Sequence, residues 1–165
     1  MGKVFSSPDL SGCDLNTFEG RREALERLLG YRDEEGYAMT ADITSLDPEL
    51  LEYIADDGVE TLVVRFRPQE WMLNSFRCVQ EGFLAAMIDV VCGPLSAVCS
   101  GEQIAGTLDM NLTFFRPVTM DDDKEITVRA RMTSITKRVM YFECELLNRK
   151  GRRAVSAVTN ILRTE

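Results

Sequence analysis

The chain has 165 residues, of which 45% are hydrophobic and 28% are charged, and this composition suits one compact domain with a sizeable core. The formal net charge of -8 argues against broad nucleic-acid binding, which needs a basic face. The sequence contains no histidine, so Ser-His-Asp hydrolysis, histidine-based dehydration and histidine-ligated metals are excluded.

The cysteine pattern and the first residues suggest where the protein works. The five cysteines contain no CxxC pair, so we predict reduced, mostly buried thiols and no metal site. The opening MGKVFSSPDL has no apolar signal core, and no segment is predicted to cross a membrane. We therefore expect a cytoplasmic protein with no nucleic-acid partner and no membrane partner.

The N-terminal third is predicted to hold a loose arm and two short helices. Residues 1–17 are polar and irregular. Apolar residues at helical spacing predict a helix over Glu19–Leu29. A second helix is predicted over Pro48–Ala55, because Asp47 can cap it and Pro48 suits its first turn.

The rest of the chain is predicted to consist of strands around one apolar helix. Val59–Arg67 is predicted as a strand, and Pro68–Val79 as a connection. Gly82–Cys99 is the most apolar segment, and a helix that is apolar nearly all round must be enclosed. Four further strands are predicted in close succession: Glu102–Pro117, Lys124–Thr136, Val139–Leu147 and Arg153–Arg163.

These elements define an α+β fold in which an antiparallel sheet wraps around a long central helix. The late strands have no helices between them, which excludes a parallel doubly wound sheet. We assign residues 1–57 to an N-terminal arm with short helices and residues 58–165 to the sheet-and-helix domain. The two parts are expected to form a single compact unit.

Asp89 is the only charged residue within the apolar segment Gly82–Cys99. Desolvating a lone carboxylate costs several kcal/mol unless hydrogen bonds or a partner compensate. One interpretation is that Asp89 faces a solvent-filled notch or caps a neighbouring element. The other is that it acts as a general base or nucleophile. Pro94 is expected to kink or restart the helix beyond this carboxylate.

Two motifs carry a resemblance to a known family. NSFRCVQEGFLAAMID runs from Asn74 to Asp89, and GTLDMNLTFFRPV runs from Gly106 to Val118. The first resembles the Asn, the H-G-G or Q-G-G element and the catalytic Asp of hotdog-fold acyl-CoA thioesterases of the phenylacetyl-CoA type. The second is similar to the strand that follows in that family. The resemblance covers about residues 59–163 and implies the hotdog fold and hydrolysis of an acyl-CoA thioester.

The resemblance also implies a role for four residues. Asp89 would be the general base or nucleophile, and the backbone N–H of Glu81 would polarise the thioester carbonyl at the start of the helix. Asn74 would orient water or the thioester, and Thr107 would position water near the carboxylate. In the family the Asn and the helix-start residues come from one subunit, and the Asp and the hydroxyl come from the other. The active site would then require a dimer, and two dimers could pair into a tetramer. Ordinary alternatives are a loop turn at Asn74 and a plain strand threonine at Thr107.

The sequence departs from the family pattern at the start of the helix. Gln80 stands where many members have His, and its amide can still donate a hydrogen bond. Glu81 replaces the first glycine of the pair, while Gly82 keeps the second. A side chain at Glu81 is expected to narrow the pocket or to require a different backbone angle.

Basic residues near the phosphates of CoA are the least defined part of the site. The candidates are Arg116, Lys137 and Arg138. Arg149–Arg153 forms another basic cluster at a strand end, for which a solvated turn is the simpler interpretation. CoA would be part of the substrate, so no separate cofactor is expected.

Three functions remain open from the sequence. Acyl-CoA hydrolysis is the first, and the motif residues favour it. A non-catalytic hotdog protein that binds acyl-CoA as a sensor or scaffold is the second, motivated by Glu81. Hydration or dehydration of acyl thioesters is weaker, because such family members typically use a catalytic His. The sequence does not identify the acyl group.

Overall fold

In the computed structural model, which describes residues 8–32, 45–101, 106–121 and 123–163, six antiparallel strands pack around one long helix. The helices are α1 (Phe18–Gly30) and α2 (Glu81–Ser100), and a short 3-10 helix covers Glu70–Met72. The strands are β1 (Glu49–Asp56), β2 (Val59–Phe66), β3 (Gly106–Phe114), β4 (Ile126–Ile135), β5 (Val139–Leu147) and β6 (Arg153–Leu162). Their order in the sheet is β1-β2-β4-β5-β6-β3, so β1 and β3 are the two edges. The predicted hotdog architecture is confirmed.

Helix α1 forms as the sequence predicts. The Thr17 side chain caps it by accepting a hydrogen bond from the N–H of Gly20, 3.1 Å away. Gly20 has no room for a side chain, because an added Cβ would lie 2.1 Å from the carbonyl oxygen of Asp14. The buried face of α1 packs against α2 and β1. Its members are Ala24, Leu25, Leu28 and Leu29.

The predicted helix over Pro48–Ala55 is wrong, because Glu49–Asp56 is strand β1 and pairs with β2. Asp57 and Gly58 form the turn between them, with φ angles of 47° and 77°. A two-residue hairpin turn of type I′ requires positive φ at both positions, and Asp-Gly favours it. The hairpin starts at Glu49, so the sheet begins before residue 58, where the predicted domain starts.

Helix α2 matches the predicted apolar segment with one residue added at each end. It runs without interruption through Pro94, so the predicted restart is wrong. By length and composition α2 could cross a membrane, with a mean hydropathy of 1.8 over 18 residues, 61% of which are buried. From the sequence we expect no segment with the length and apolar composition of a membrane span, and α2 corrects that expectation. The core helix of a folded domain passes the same test, and α2 contacts β2 to β6.

The last four predicted strands are present, although residues 102–105 of the first lie outside the described residues. The expectation that all four form one antiparallel meander is wrong, because only β4, β5 and β6 are successive neighbours and β3 pairs with β6 instead of β4. Alternation is clearest in β4, which buries Ile126, Val128, Ala130 and Met132 against the core. Strands β5 and β6 are joined by the predicted turn, in which the N–H of Gly151 donates to the carbonyl of Asn148 at 2.8 Å. One face of the sheet therefore carries the core and the other faces outward.

A buried polar cluster ties α1 to the β1–β2 hairpin. The carboxylate of Glu60, only 8% exposed, accepts hydrogen bonds from the guanidinium of Arg21 and the hydroxyl of Tyr53. Burial, followed by the bond to Glu60, raises the pKa of Tyr53, so the phenol stays a donor over the physiological range. Phe18 stacks on Tyr53 with ring centroids 5.1 Å apart. Charge and aromatic contacts thus fix the N-terminal helix to the sheet edge.

The core position of α2 generates a stability prediction. Leu95 is fully buried, so Leu95→Ala should lower the free energy of unfolding by about 2–5 kcal/mol through lost burial and a cavity. Urea unfolding followed by circular dichroism, at matched protein concentration, measures this. Leu51, 45% exposed on edge strand β1, is the control, and Leu51→Ala should change stability by less than about 0.5 kcal/mol. Equal effects of the two substitutions would contradict the packing of α2.

Candidate active site

Asp89 lies half-buried on α2, between the buried residues Ile88 and Val90. Its Oδ1 atom accepts a hydrogen bond from the hydroxyl of Thr107 on β3 at 2.6 Å. A hydrogen bond to a carboxylate is stronger than one between neutral groups and offsets part of the desolvation cost. Thr107 therefore holds the carboxylate in one orientation while its other oxygen stays available.

A bulge in β3 brings Thr107 to the helix. Thr107 pairs with Ile161 and Asp109 pairs with Asn160, so Leu108 is an extra residue in the ladder. Residues directly opposite each other share a face, and a bulge changes which side chains point inward. A strict period of two along β3 would place Thr107 on the same face as Asp109, but the bulge places the two residues on opposite faces. Thr107 shares the inner face with Ile161, which is 2% exposed.

The start of α2 presents free backbone donors. Gln80 precedes the helix without a side-chain cap, and its carbonyl accepts from the N–H of Phe83 at 3.0 Å. In the part of the chain that the structure describes, the N–H groups of Glu81 and Gly82 donate to no protein acceptor. The first N–H groups of a helix lack partners within it, and the dipole there favours negative charge. These two donors could bind an oxyanion.

Glu81 fits where the family has glycine. It is the first residue of α2 and is exposed, and it is not among the described non-glycine residues with positive φ. The expectation that a side chain here demands a different backbone angle is therefore wrong. Its side chain leaves the backbone donor in helical geometry.

Asn74 closes a tight loop in front of α2. Its Oδ1 atom accepts from the N–H groups of Phe76 and Cys78 at 3.0 and 3.1 Å, and its own N–H donates to the carbonyl of Cys78 at 2.8 Å. This is the loop turn that we weighed as the ordinary alternative. Since the oxygen is committed to the loop, only the side-chain NH₂ could contact a substrate.

The predicted site residues fall into two groups. The carbonyl half-site comprises Asn74, Gln80, Glu81 and Gly82, and the carboxylate half-site comprises Asp89 and Thr107. Eight residues of helix separate Glu81 from Asp89, which is about 12 Å along the axis at 1.5 Å per residue. A single thioester carbonyl cannot reach both groups in one chain.

The predicted phosphate ligands are also divided. Arg116 follows the end of β3, whereas Lys137 and Arg138 form the β4–β5 turn. That turn lies beside the start of β3, because Val139 pairs with Leu162 and Leu162 pairs with Gly106. The nine residues of β3 span about 30 Å, so these basic residues do not meet within one chain.

Two cysteine thiols behind Asp89 were missed by the sequence reasoning. The sulfur atoms of Cys92, one turn after Asp89, and Cys144 on β5 lie 3.3 Å apart, and both residues are free and buried. The contact with Cys144, burial and the nearby charge of Asp89 hold the pKa of Cys92 well above its usual value. This buried pair of thiols lies next to the Asp89 carboxylate. Spacing in the sequence gave no signal for this pairing.

Metal ligation has no visible basis in the described residues. No group of three His, Cys, Asp or Glu side chains comes together in these ranges. The chemistry that the two half-sites can supply is proton transfer or nucleophilic attack by a carboxylate, and stabilisation of an oxyanion by backbone donors.

Comparisons with known proteins agree with the fold. The family model described as Thioesterase superfamily matches residues 79–155. The structure is similar to the Escherichia coli PaaI protein from the phenylacetic acid degradation operon, with a TM-score of 0.63 and 17% identity, over 76% of this chain and 86% of that one. No curated protein matches the chain.

Two further solved structures are similar and carry a ligand. One is a hypothetical thioesterase of Streptococcus pneumoniae with coenzyme A, at a TM-score of 0.62 and 18% identity, over 74% of this chain and 90% of that one. The other is smu.793 of Streptococcus mutans bound to acetyl-CoA, at a TM-score of 0.61 and 13% identity, over 71% of this chain and 88% of that one. The resemblance is thus confirmed by the match to the Thioesterase superfamily model, which covers just under half of this chain. At these identities the solved structures show the fold.

The thiol environments give a prediction about reactivity. Burial raises the pKa of Cys99 to about 12, and a raised pKa leaves less of the reactive thiolate at any lower pH. At about pH 8, iodoacetamide should therefore modify the half-exposed Cys13 and Cys78 but spare Cys92, Cys99 and Cys144. Peptide mass spectrometry reads this out. Unfolding in urea is the control and should make all five react, while fast labelling of Cys92 in the folded protein would refute the burial described.

Proposed function

We propose that the protein hydrolyses an acyl-CoA thioester to a free acid and CoA at a site shared by two copies of the chain. The observation that carries the proposal is the Asp89 carboxylate, held at 2.6 Å by Thr107 on a helix whose only other charged residue is Glu81 at its start. A half-buried carboxylate with one fixed oxygen and one available oxygen suits a base or nucleophile. The match of residues 79–155 to the Thioesterase superfamily model supports this reaction class.

The proposed reaction adds water across the bond between the acyl carbon and sulfur. Asp89 either takes a proton from water as the water attacks the carbonyl carbon, or attacks that carbon itself to form an anhydride that water then hydrolyses. The C–S bond breaks, and the CoA thiolate leaves and takes up a proton. Thr107 bonds Oδ1 of Asp89 and so keeps the whole carboxylate, including its other, reacting oxygen, in one orientation.

The backbone donors of Glu81 and Gly82 are proposed to hold the carbonyl oxygen. Negative charge develops on that oxygen during attack, and donors that are already oriented stabilise it at little reorganisation cost. Because these donors lie about 12 Å along the helix from Asp89, they must act on a thioester that reaches the carboxylate of a second chain. The site is then incomplete in a single copy.

Edge strand β3 supplies a route for this pairing. Its outer edge has no strand partner among the described residues, and Leu108 and Phe114 on it are 56% and 43% exposed. Two copies that pair antiparallel through β3 place the end of one strand beside the start of the other. The end of β3 leads to Val118, whose carbonyl accepts from the N–H of Val79 just before α2 at 2.8 Å. This arrangement brings a carbonyl half-site to the partner's carboxylate half-site.

The substrate class, the cellular location and the assembly of the protein are also proposals. Solved structures of similar fold with CoA or acetyl-CoA support CoA thioesters as substrates, with CoA as part of the substrate and no resident cofactor. A cytoplasmic location and further assembly into a tetramer stay predictions. Binding of acyl-CoA without catalysis is the competing function. Glu81 in place of glycine was the reason to consider it, and Glu81 fits the first position of α2 without a positive φ.

Asp89 provides the first test of hydrolysis. Asp89→Asn should lower kcat by two or more orders of magnitude because it removes the base or nucleophile. Thr107→Val should lower kcat roughly tenfold because the carboxylate loses its hydrogen bond. Thr107→Ser keeps the hydroxyl and should retain most of the wild-type kcat. Release of CoA from a panel of acyl-CoAs, followed by a thiol-detecting dye, measures these rates.

The matched control for this test is Asp109→Asn. Asp109 lies on the outer face of β3, where its carboxylate accepts two hydrogen bonds from Asn160 at 2.8 and 3.0 Å, so its loss should leave kcat within about threefold. A folded Asp89→Asn variant with full activity would defeat the assignment. Saturable acyl-CoA binding without turnover over the whole panel would favour the non-catalytic alternative.

The backbone donor of Glu81 can be removed without changing the fold. Proline is tolerated at the first helical position, and Gln80 has φ -62° and ψ 139°, which suits a residue before proline. Glu81→Pro should therefore lower kcat by about 10²–10³ through loss of the N–H. Glu81→Ala, which deletes only the side chain, should stay within about fivefold of the wild type. Equal rates for the two variants would show that this N–H is not a catalytic donor.

Mixing the inactive variants tests whether the site is shared. In a dimer of Asp89→Asn with Glu81→Pro, one site carries both lesions and the other carries neither. Equal mixing after unfolding and refolding should therefore recover about a quarter of the wild-type rate, since about half of the dimers are mixed. Each variant refolded alone is the control. A mixture as inactive as its components would place both groups in one chain.

A further inference from the structure

We propose that the β5–β6 turn and Arg116 form the binding site for the phosphorylated nucleotide of the CoA substrate. This basic turn comprises Arg149, Lys150, Arg152 and Arg153 and is connected to the loop before α2 in the same chain through Asp123 and Thr119. The inference rests on the proposed function and names which cations act on the substrate. It sets aside the simpler interpretation of Arg149–Arg153 as a solvated turn.

A chain of hydrogen bonds connects the basic turn to the carbonyl half-site. Asp123, which is 3% exposed, accepts from the N–H of Arg149 at 3.3 Å and from the N–H of Thr119 at 3.4 Å. Thr119 in turn bridges to Cys78, which lies in the loop that precedes Gln80. A buried carboxylate with these partners holds the turn in a fixed place relative to the oxyanion donors.

The basic turn is itself preorganised. The buried side chain of Asn148 accepts from the N–H groups of Lys150 and Arg152 at 3.1 and 3.0 Å. Gly151 adopts φ 70°, a left-handed conformation that glycine adopts without steric cost. Since the backbone is fixed, the cations of the turn need little further ordering to bind an anion.

The charges of the turn are available to a ligand. In the described part of the chain, the exposed side chains of Arg149, Lys150 and Arg152 have no ion-pair partner, while Arg153 pairs with Glu145. The guanidinium of Arg116 donates to the carbonyl of Arg153, which joins the fifth cation to the cluster. Concentrating five cations in a chain with net charge -8 creates a local attraction for a polyanion.

A groove beside the cluster suits the nucleotide. It has a volume of about 500 Å³ and is lined by Phe115, Arg116, Glu145, Leu147, Gly151 and Arg153. Phe115 is 53% exposed, and an aromatic face next to guanidinium groups can stack a base while the cations bind phosphates. The fitting ligand is an adenosine that carries a 3′-phosphate and a 5′-diphosphate.

Position distinguishes this cluster from Lys137 and Arg138. Those residues lie at the opposite end of β3 from Arg116, so in the same chain they are about 30 Å from the basic turn. The hydrogen-bonded path through Asp123 leads from the oxyanion donors to the β5–β6 turn. We therefore assign the nucleotide phosphates to the turn.

Comparing two substrates tests the assignment. The triple variant Arg149→Gln, Lys150→Gln, Arg152→Gln should raise KM for an acyl-CoA at least about tenfold, because charge-assisted hydrogen bonds to phosphate are lost. It should leave kcat/KM for the matching acyl-pantetheine, which has no phosphate, unchanged. Arg22→Gln is the control, because Arg22 is an exposed cation on α1 paired with Glu26. It should leave KM for the acyl-CoA and kcat/KM for the acyl-pantetheine unchanged. Equal changes for both substrates, or none for either, would overturn the assignment.

A binding measurement separates this inference from the proposed function. Adenosine 3′,5′-bisphosphate should bind the wild type in calorimetry, weaken as salt rises, and bind the triple variant at least about tenfold more weakly. If acyl-pantetheine is hydrolysed but the bisphosphate binds both proteins equally, the nucleotide site is wrong while hydrolysis stands. If no thioester is hydrolysed but binding is lost in the variant, the proposed function fails and the nucleotide site stands.

Discussion

The structure depends on how one carboxylate is accommodated on an apolar helix. Asp89 carries charge where its neighbours on α2 are buried, and a charge in such surroundings must gain hydrogen bonds to persist. Thr107 supplies one at 2.6 Å, and the buried thiols of Cys92 and Cys144 lie nearby, 3.3 Å apart. The bulge in β3 and the position of α2 inside the sheet both serve this contact. The Asp89 carboxylate, whose desolvation is unfavourable, is thereby kept in one orientation.

Helical geometry then separates the functions of the site. The start of α2 offers backbone donors, and Asp89 lies about 12 Å further along the same axis. No side-chain rotation can close that gap, so a second copy is the simplest way to bring both groups to one thioester. The two ends of β3 also carry different groups, because Thr107 near its start bonds Asp89 and Arg116 lies beyond its end.

Much of the fold could be predicted from the sequence, because periodicity reports burial directly. The apolar segment became α2, and the alternating strands β4 to β6 became the sheet. The β1 strand was missed because Asp47 and Pro48 imitate a helix start, while the Asp57–Gly58 hairpin signal was taken as a helix stop. Pairing with β2 is a long-range contact that overrides local propensity.

The site could be predicted in its residues but not in its geometry. The motif identified Asp89 and Thr107, although a strict period of two along β3 would place Thr107 on the same face as Asp109. A bulge is invisible to a period-two pattern, whereas the loop turn at Asn74 was one of the interpretations that the sequence offered. The contacts of Cys92 with Cys144 and of Asp123 with Arg149 join residues distant in sequence, and a single sequence carries no record of them.

The bulge at Leu108 has a consequence for how such chains diverge. Thr107 and Leu108 together stand opposite Ile161, so removal of Leu108 would restore a regular ladder and still leave the hydroxyl opposite that residue. Shortening the strand by one residue is therefore compatible with the same contact to Asp89. The count of residues between a carboxylate and its hydroxyl partner is consequently a poor guide to whether a distant homologue retains the pair.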